Sequence, residues 1–109
     1  MPTSVHLGPF TYRLTDDAAD WAALKKSVRD GCYGYTLHVS ATIYLHPEIE
    51  PNLKRVIAVH EILHAAAFAG GQHDTSKRDE EAWVAMAAPQ LLDALRRTPG
   101  LMAWLGNEE

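Results

Sequence analysis

The sequence predicts a small α+β domain, a short and mostly antiparallel sheet packed on two long helices. Three observations predict it. Short apolar runs separated by Gly and Pro fill Ser4 to Leu45. Val56–Val59 and Ala65–Ala69, on either side of His60–His64, are apolar nearly all round and mark a buried helix over Asn52 to Ala69. Helical spacing then returns from Asp79 to about Arg97.

Ser4 to Leu14 reads as extended chain broken at Gly8-Pro9, with Val5 and Leu7 alternating before the break and Phe10, Tyr12 and Leu14 after it. Thr15 or Asp16 is placed to cap a helix over Asp17–Arg29, whose apolar positions Ala18, Trp21, Ala22, Leu24 and Val28 share a face, and Asp30-Gly31 ends it. Tyr33 to Val39 is strand-like, Ser40-Ala41 turns the chain, and Thr42-Ile43-Tyr44-Leu45 is a strand stopped by His46-Pro47. Glu50-Pro51-Asn52 opens the next helix with Pro51 in its first turn, and Gly70-Gly71 closes it. A polar loop from Gly70 to Lys77 leads to the last long helix, which Pro89 is expected to kink or restart. Beyond Pro99-Gly100, the apolar tail Leu101–Leu105 is expected to pack back on the domain.

At 109 residues the chain reads as one domain, 1–109, with 47% hydrophobic and 22% charged residues. The net charge of −4 and the isolated basic pairs Lys25-Lys26, Lys54-Arg55, Lys77-Arg78 and Arg96-Arg97 argue against a nucleic-acid partner. Cys32 is the only cysteine, so no intramolecular disulfide and no thiolate zinc cage can form; it reads as a small core residue. No segment has the length of a membrane span, and the N-terminus lacks a signal-peptide layout, which leads us to expect a cytoplasmic protein without a membrane partner.

His60-Glu61-Ile62-Leu63-His64 carries the chemistry. H-E-x-x-H on a helix sets two imidazoles one turn apart, about 40° around the axis, where they can bind one cation. Glu61 lies about 100° around from His60, placed to reach a water on that cation without being a ligand. A hydrolytic zinc site takes three protein ligands and keeps one position open. A third histidine six residues past His64, with a glycine three past it, would complete one known pattern, but Gly70 and Ala67 stand there. His73 and Asp74 in the following loop form no recognisable arrangement. Glu80 and Glu81 open the second helix. Either one could be a ligand, or simply a favourable charge against the helix dipole. Trp83, one turn after Glu80, would crowd a close helix approach, whereas Val84, Ala85 and Ala88 follow Glu81, so Glu81 is favoured and Glu80 competes.

With these residues in hand, the chain resembles the small phage and bacterial zincin-like metallopeptidases related to the ImmA/IrrE group, close to a minimal gluzincin. The resemblance is carried by Gly34–His38 with Thr42–Leu45, by His60–His64, and by Glu80-Glu81 leading to Leu91-Leu92, together spanning residues 34 to 97. It implies a zincin-like fold and an alanine-rich ligand helix with a Leu-Leu pair about ten residues past the ligand, which again points to Glu81. The asparagine usual four residues after that ligand is replaced by Ala85.

The expectation that follows is a metallopeptidase with one Zn²⁺ per chain held by His60, His64 and Glu81, and Glu61 as general base for the attacking water. A polypeptide substrate would pair with strand 42–45, which resembles the family's edge strand. His38 is the first candidate for oxyanion stabilisation, followed by Tyr35 and Tyr44; His6 and His46 read as surface residues. The competing reading is a zinc-binding structural or interaction module without proteolysis, against which Glu61 itself argues, since a structural site has no use for a base.

Overall fold

The first two strands, β1 (Ser4–Leu7) and β2 (Phe10–Thr15), meet through the two residues Gly8 and Pro9, with Leu7 paired to Phe10. Gly8 takes φ +58°, the left-handed conformation that such a tight hairpin demands at its first position and that glycine adopts without steric cost. The computed structural model describes residues 1–70, 77–99, 102, 103 and 106. Residues His73 and Asp74 and most of the tail Leu101–Leu105 lie outside these; Met102 and Ala103, the described part of the tail, are exposed.

Where one helix is predicted over Asp17–Arg29, two short ones form, α1 (Ala18–Ala22) and α2 (Lys26–Arg29). The cap is Asp17 rather than Thr15 or Asp16, its carboxylate accepting from the Ala19 and Asp20 N–H groups at 2.8 and 3.0 Å. Thr15 instead donates its hydroxyl to Asp20 at 2.6 Å. The break falls at Lys25, whose ψ of 140° is extended, and the Arg29 guanidinium donates to the Leu24 carbonyl that the break exposes.

Strands β3 (Gly34–Leu37) and β4 (Thr42–Leu45) form a second antiparallel pair, and β4 lies parallel to β2, giving the order β1-β2-β4-β3 in a mixed sheet. This corrects the expected role of strand 42–45. It is hydrogen-bonded on both sides, by β2 and by β3, so it cannot pair with a substrate; the strands at the sheet edges are β1 and β3, and β3 is the one beside α3 and the histidines.

Helix α3 (Pro51–Ala69) begins as the sequence suggests, with Pro51 at its start and Glu50 accepting from the Asn52 and Leu53 N–H groups, and it ends at Gly70. Helix α4 (Lys77–Arg97) runs through Pro89 without restarting. Pro89 and Ala85 are both exposed, so the carbonyl that Pro89 deprives of its donor can turn to water. The alternation of β2 and β4 aims Tyr12, Leu14, Ile43 and Leu45 at α3, where they enclose Ala65 with Ile57, Ala58 and Ile62 packed alongside. Among the described residues no helix is long and apolar enough to cross a membrane.

Two carboxyls outside the core are held below their ordinary range. Glu50 is held there by the N–H groups it caps, and Asp20 by hydrogen bonds from Thr15 and Arg13. A depressed folded-state pKa contributes stability that is present above the unfolded value, near pH 4, and lost as pH falls through the folded one. Lowering the pH from 6 to 3 should therefore reduce the urea midpoint of the wild type more than that of the double variant Glu50→Gln, Asp20→Asn. Parallel loss in both proteins would contradict this assignment.

Candidate metal centre

The one-turn spacing of His60 and His64 on α3 brings their Nε2 atoms to 3.3 Å from one another. Glu81, from the first turns of α4, faces both: Oε1 lies 2.6 Å from His60 Nε2 and Oε2 lies 2.7 Å from His64 Nε2. The three side chains form a group that could hold a metal ion. The donor set suits zinc chemically, two imidazoles and a carboxylate. The nitrogen separation suits it as well, since a tetrahedron with bonds of about 2.0–2.1 Å has edges of about 3.3–3.4 Å.

Helices α3 and α4 run antiparallel, which is why this meeting occurs. Arg96 near the end of α4 donates to Asn52 Oδ1 at the start of α3 at 2.7 Å, while Glu80 and Glu81 meet the histidines at the opposite end. The choice between Glu80 and Glu81 posed by the sequence does not arise in that form. Val84 and Ala88 are fully buried, and helical geometry places Glu80 and Glu81 to either side of the mean direction in which they point. Both therefore reach the histidines, Glu81 at Nε2 and Glu80 at His64 Nδ1, 2.5 Å away. Trp83 points outward, 40% exposed, and does not crowd the approach.

Glu61 is buried, with 8% of its surface exposed. The Thr36 hydroxyl donates to its Oε1 at 2.8 Å, and its Oε2 lies 4.0 Å from His60 Nε2. Burial raises the Glu61 carboxyl above its ordinary value and Glu81 adds to the rise, while the Thr36 hydrogen bond and the two histidines pull it down. Gly34 makes this burial feasible. A Cβ there would stand 2.5 Å from Ile57 Cγ2 and 3.1 Å from Glu61 Cγ. Gly34 and Thr36 were not singled out from the sequence as site residues, although a glycine inside a strand pattern is itself a signal of close approach.

The cleft that holds these groups has a volume of about 620 Å³ and runs along the edge strand, with His38 and Tyr35 among its lining residues. Tyr35 is paired with Tyr44 across β3 and β4, and strand alternation sets both on the sheet face opposite the one that Gly34 and Thr36 turn to α3. Neither tyrosine is thereby directed at the histidines, and Tyr44 does not line the cleft. His38 stacks on Phe68 at 4.2 Å between centroids, and its Nδ1 lies 2.9 Å from the hydroxyl of buried Tyr12. Cys32 also lines the cleft; burial and the charge of Glu61 push its thiol up, which makes it a poor nucleophile. His6 is exposed, whereas His46 is half-buried and packs on the rings of Trp21 and Tyr33.

No protein-family model matches the chain, and neither a curated protein nor a solved structure matches it.

Because the space beside Gly34 is filled by Ile57 and Glu61 of α3, Gly34→Ala should cost about 1–3 kcal/mol of folding stability, the usual penalty of overpacking. Urea denaturation of the metal-free protein measures it. A variant as stable as the wild type would mean that α3 stands off from β3.

Proposed function

We propose that this chain is a zinc-dependent metallopeptidase that hydrolyses peptide bonds, with His60, His64 and Glu81 as ligands and Glu61 as general base. The observation that carries the reading is the convergence of two imidazoles and a carboxylate within 4.8 Å, beside a buried glutamate that is not one of the three. A bound divalent cation would supply a Lewis acid there and lower the pKa of a water. Glu61 accepts a proton from the attacking water through the carboxylate whose other oxygen Thr36 holds, and passes it to the amine as the C–N bond breaks. A raised carboxyl suits that double duty, because the group must both take and return the proton near neutral pH.

An extended polypeptide substrate fits along β3, the edge strand beside the cleft, by backbone pairing. We assign His38 to the oxyanion because it lines the cleft, with Nδ1 2.9 Å from the Tyr12 hydroxyl; the role requires the Nε2 proton. The resemblance to the ImmA/IrrE-related peptidases agrees with this reading.

Metal content per chain and cleavage of a peptide library, followed by mass spectrometry, test the proposal together. His60→Ala and Glu81→Ala should lose zinc, whereas Glu61→Gln should keep it and lose at least about 100-fold in cleavage rate. A wild type that binds zinc and cleaves nothing would be a zinc-binding module instead.

A further inference from the structure

His64 is gripped at both nitrogens, and only one grip belongs to the ligand set described above. Its Nε2 faces Glu81, while its Nδ1 lies 2.5 Å from Glu80 Oε2. We propose that Glu80 is the positioning residue of the metal centre, holding the His64 ring by its Nδ1–H so that Nε2 is presented to the metal; this rests on the metal-binding reading above.

Burial separates this role from a simple charge at a helix start. A carboxylate that serves only the helix dipole stays in water, but the Glu80 side chain is 18% exposed against 56% for Glu81, its neighbour and the ligand. The more buried of the two glutamates is thus the one that does not face the Nε2 pair. A carboxylate can only accept, so its bond to Nδ1 fixes the proton there and leaves the Nε2 lone pair as the donor to a cation. Such outer partners hold a ligand ring in orientation and raise its basicity, and losing one weakens metal binding by about 10–100-fold. Ala85, one turn past Glu81, has no side-chain donor or acceptor with which to share the task.

Zinc affinity measured by chelator competition on the intact chain provides the test, with circular dichroism of each metal-free variant confirming the fold. Glu80→Ala should weaken zinc binding by about 10–100-fold, and Glu80→Gln, whose amide oxygen still accepts from Nδ1–H, should recover most of the loss. In the zinc-loaded wild type, ¹⁵N-edited NMR should show a slowly exchanging His64 Nδ1–H, a readout that needs no variant to fold. Three results would overturn the proposal: Glu80→Ala affinity within about two-fold of wild type, Glu80→Gln as weak as Glu80→Ala, or a proton absent from Nδ1 of zinc-loaded His64. A wild type that binds no zinc would instead overturn the metal-binding reading on which this one stands.

Discussion

Glu81 can face two imidazoles at once because α3 and α4 lie antiparallel and are tied at both ends, by Arg96 to Asn52 at one and by the glutamates to the histidines at the other. The rest of the site depends on that closure. Two histidines one turn apart share a face on any helix, but the carboxylate that meets them belongs to another helix, and only helix packing brings it in. Val84 and Ala88, both buried, set the rotation of α4. Turned either way about its axis, α4 would withdraw one glutamate and bury the other against α3.

The sheet supplies the second half of the site. Edge strand β3 presents Gly34 and Thr36 to α3, one leaving room for Glu61 and the other donating to it. A buried carboxylate without a partner would be costly, and a fully satisfied one would be an inert structural acid. Here a single hydroxyl holds Oε1, and Oε2 is left on the side of His60. The same strand forms a wall of the cleft, so the elements that bury the acid also shape the space beside it.

What could be read in advance follows the range of each interaction. The α3 boundaries, the Pro51 start, the Gly8-Pro9 hairpin and the same-face histidines are local, and spacing along the chain reveals them. Strand order is not local. Thr42–Leu45 precedes the motif helix and was expected at the edge, yet the return of the chain through α1 and α2 inserts it beside β2 and leaves β3 outermost. The break at Lys25 has no glycine or proline to announce it. Glu80 was named from the sequence as a competitor of Glu81 for one place, and its contact with the other nitrogen of His64 was not legible there, because the packing argument weighed the residues after each glutamate and not the two faces of the imidazole.

The resulting arrangement has a chemical requirement of its own. Carboxylate oxygens only accept, so each Nε2 that faces Glu81 must bring either a proton or a shared cation to the contact. His64 meets a second carboxylate, that of Glu80, at Nδ1. A cation held by His60, His64 and Glu81 would meet that requirement. The charge would then sit where two imidazoles and a carboxylate already converge. Taking up such an ion displaces protons, the usual coupling of metal binding to ligand ionisation. Among the described residues, the carboxyls that line the cleft are Glu61, Glu80 and Glu81, and they are divided by position alone. Glu81 is exposed and faces both Nε2 atoms, Glu80 lies behind the His64 ring, and Glu61 is buried beside them with Oε2 on the side of His60.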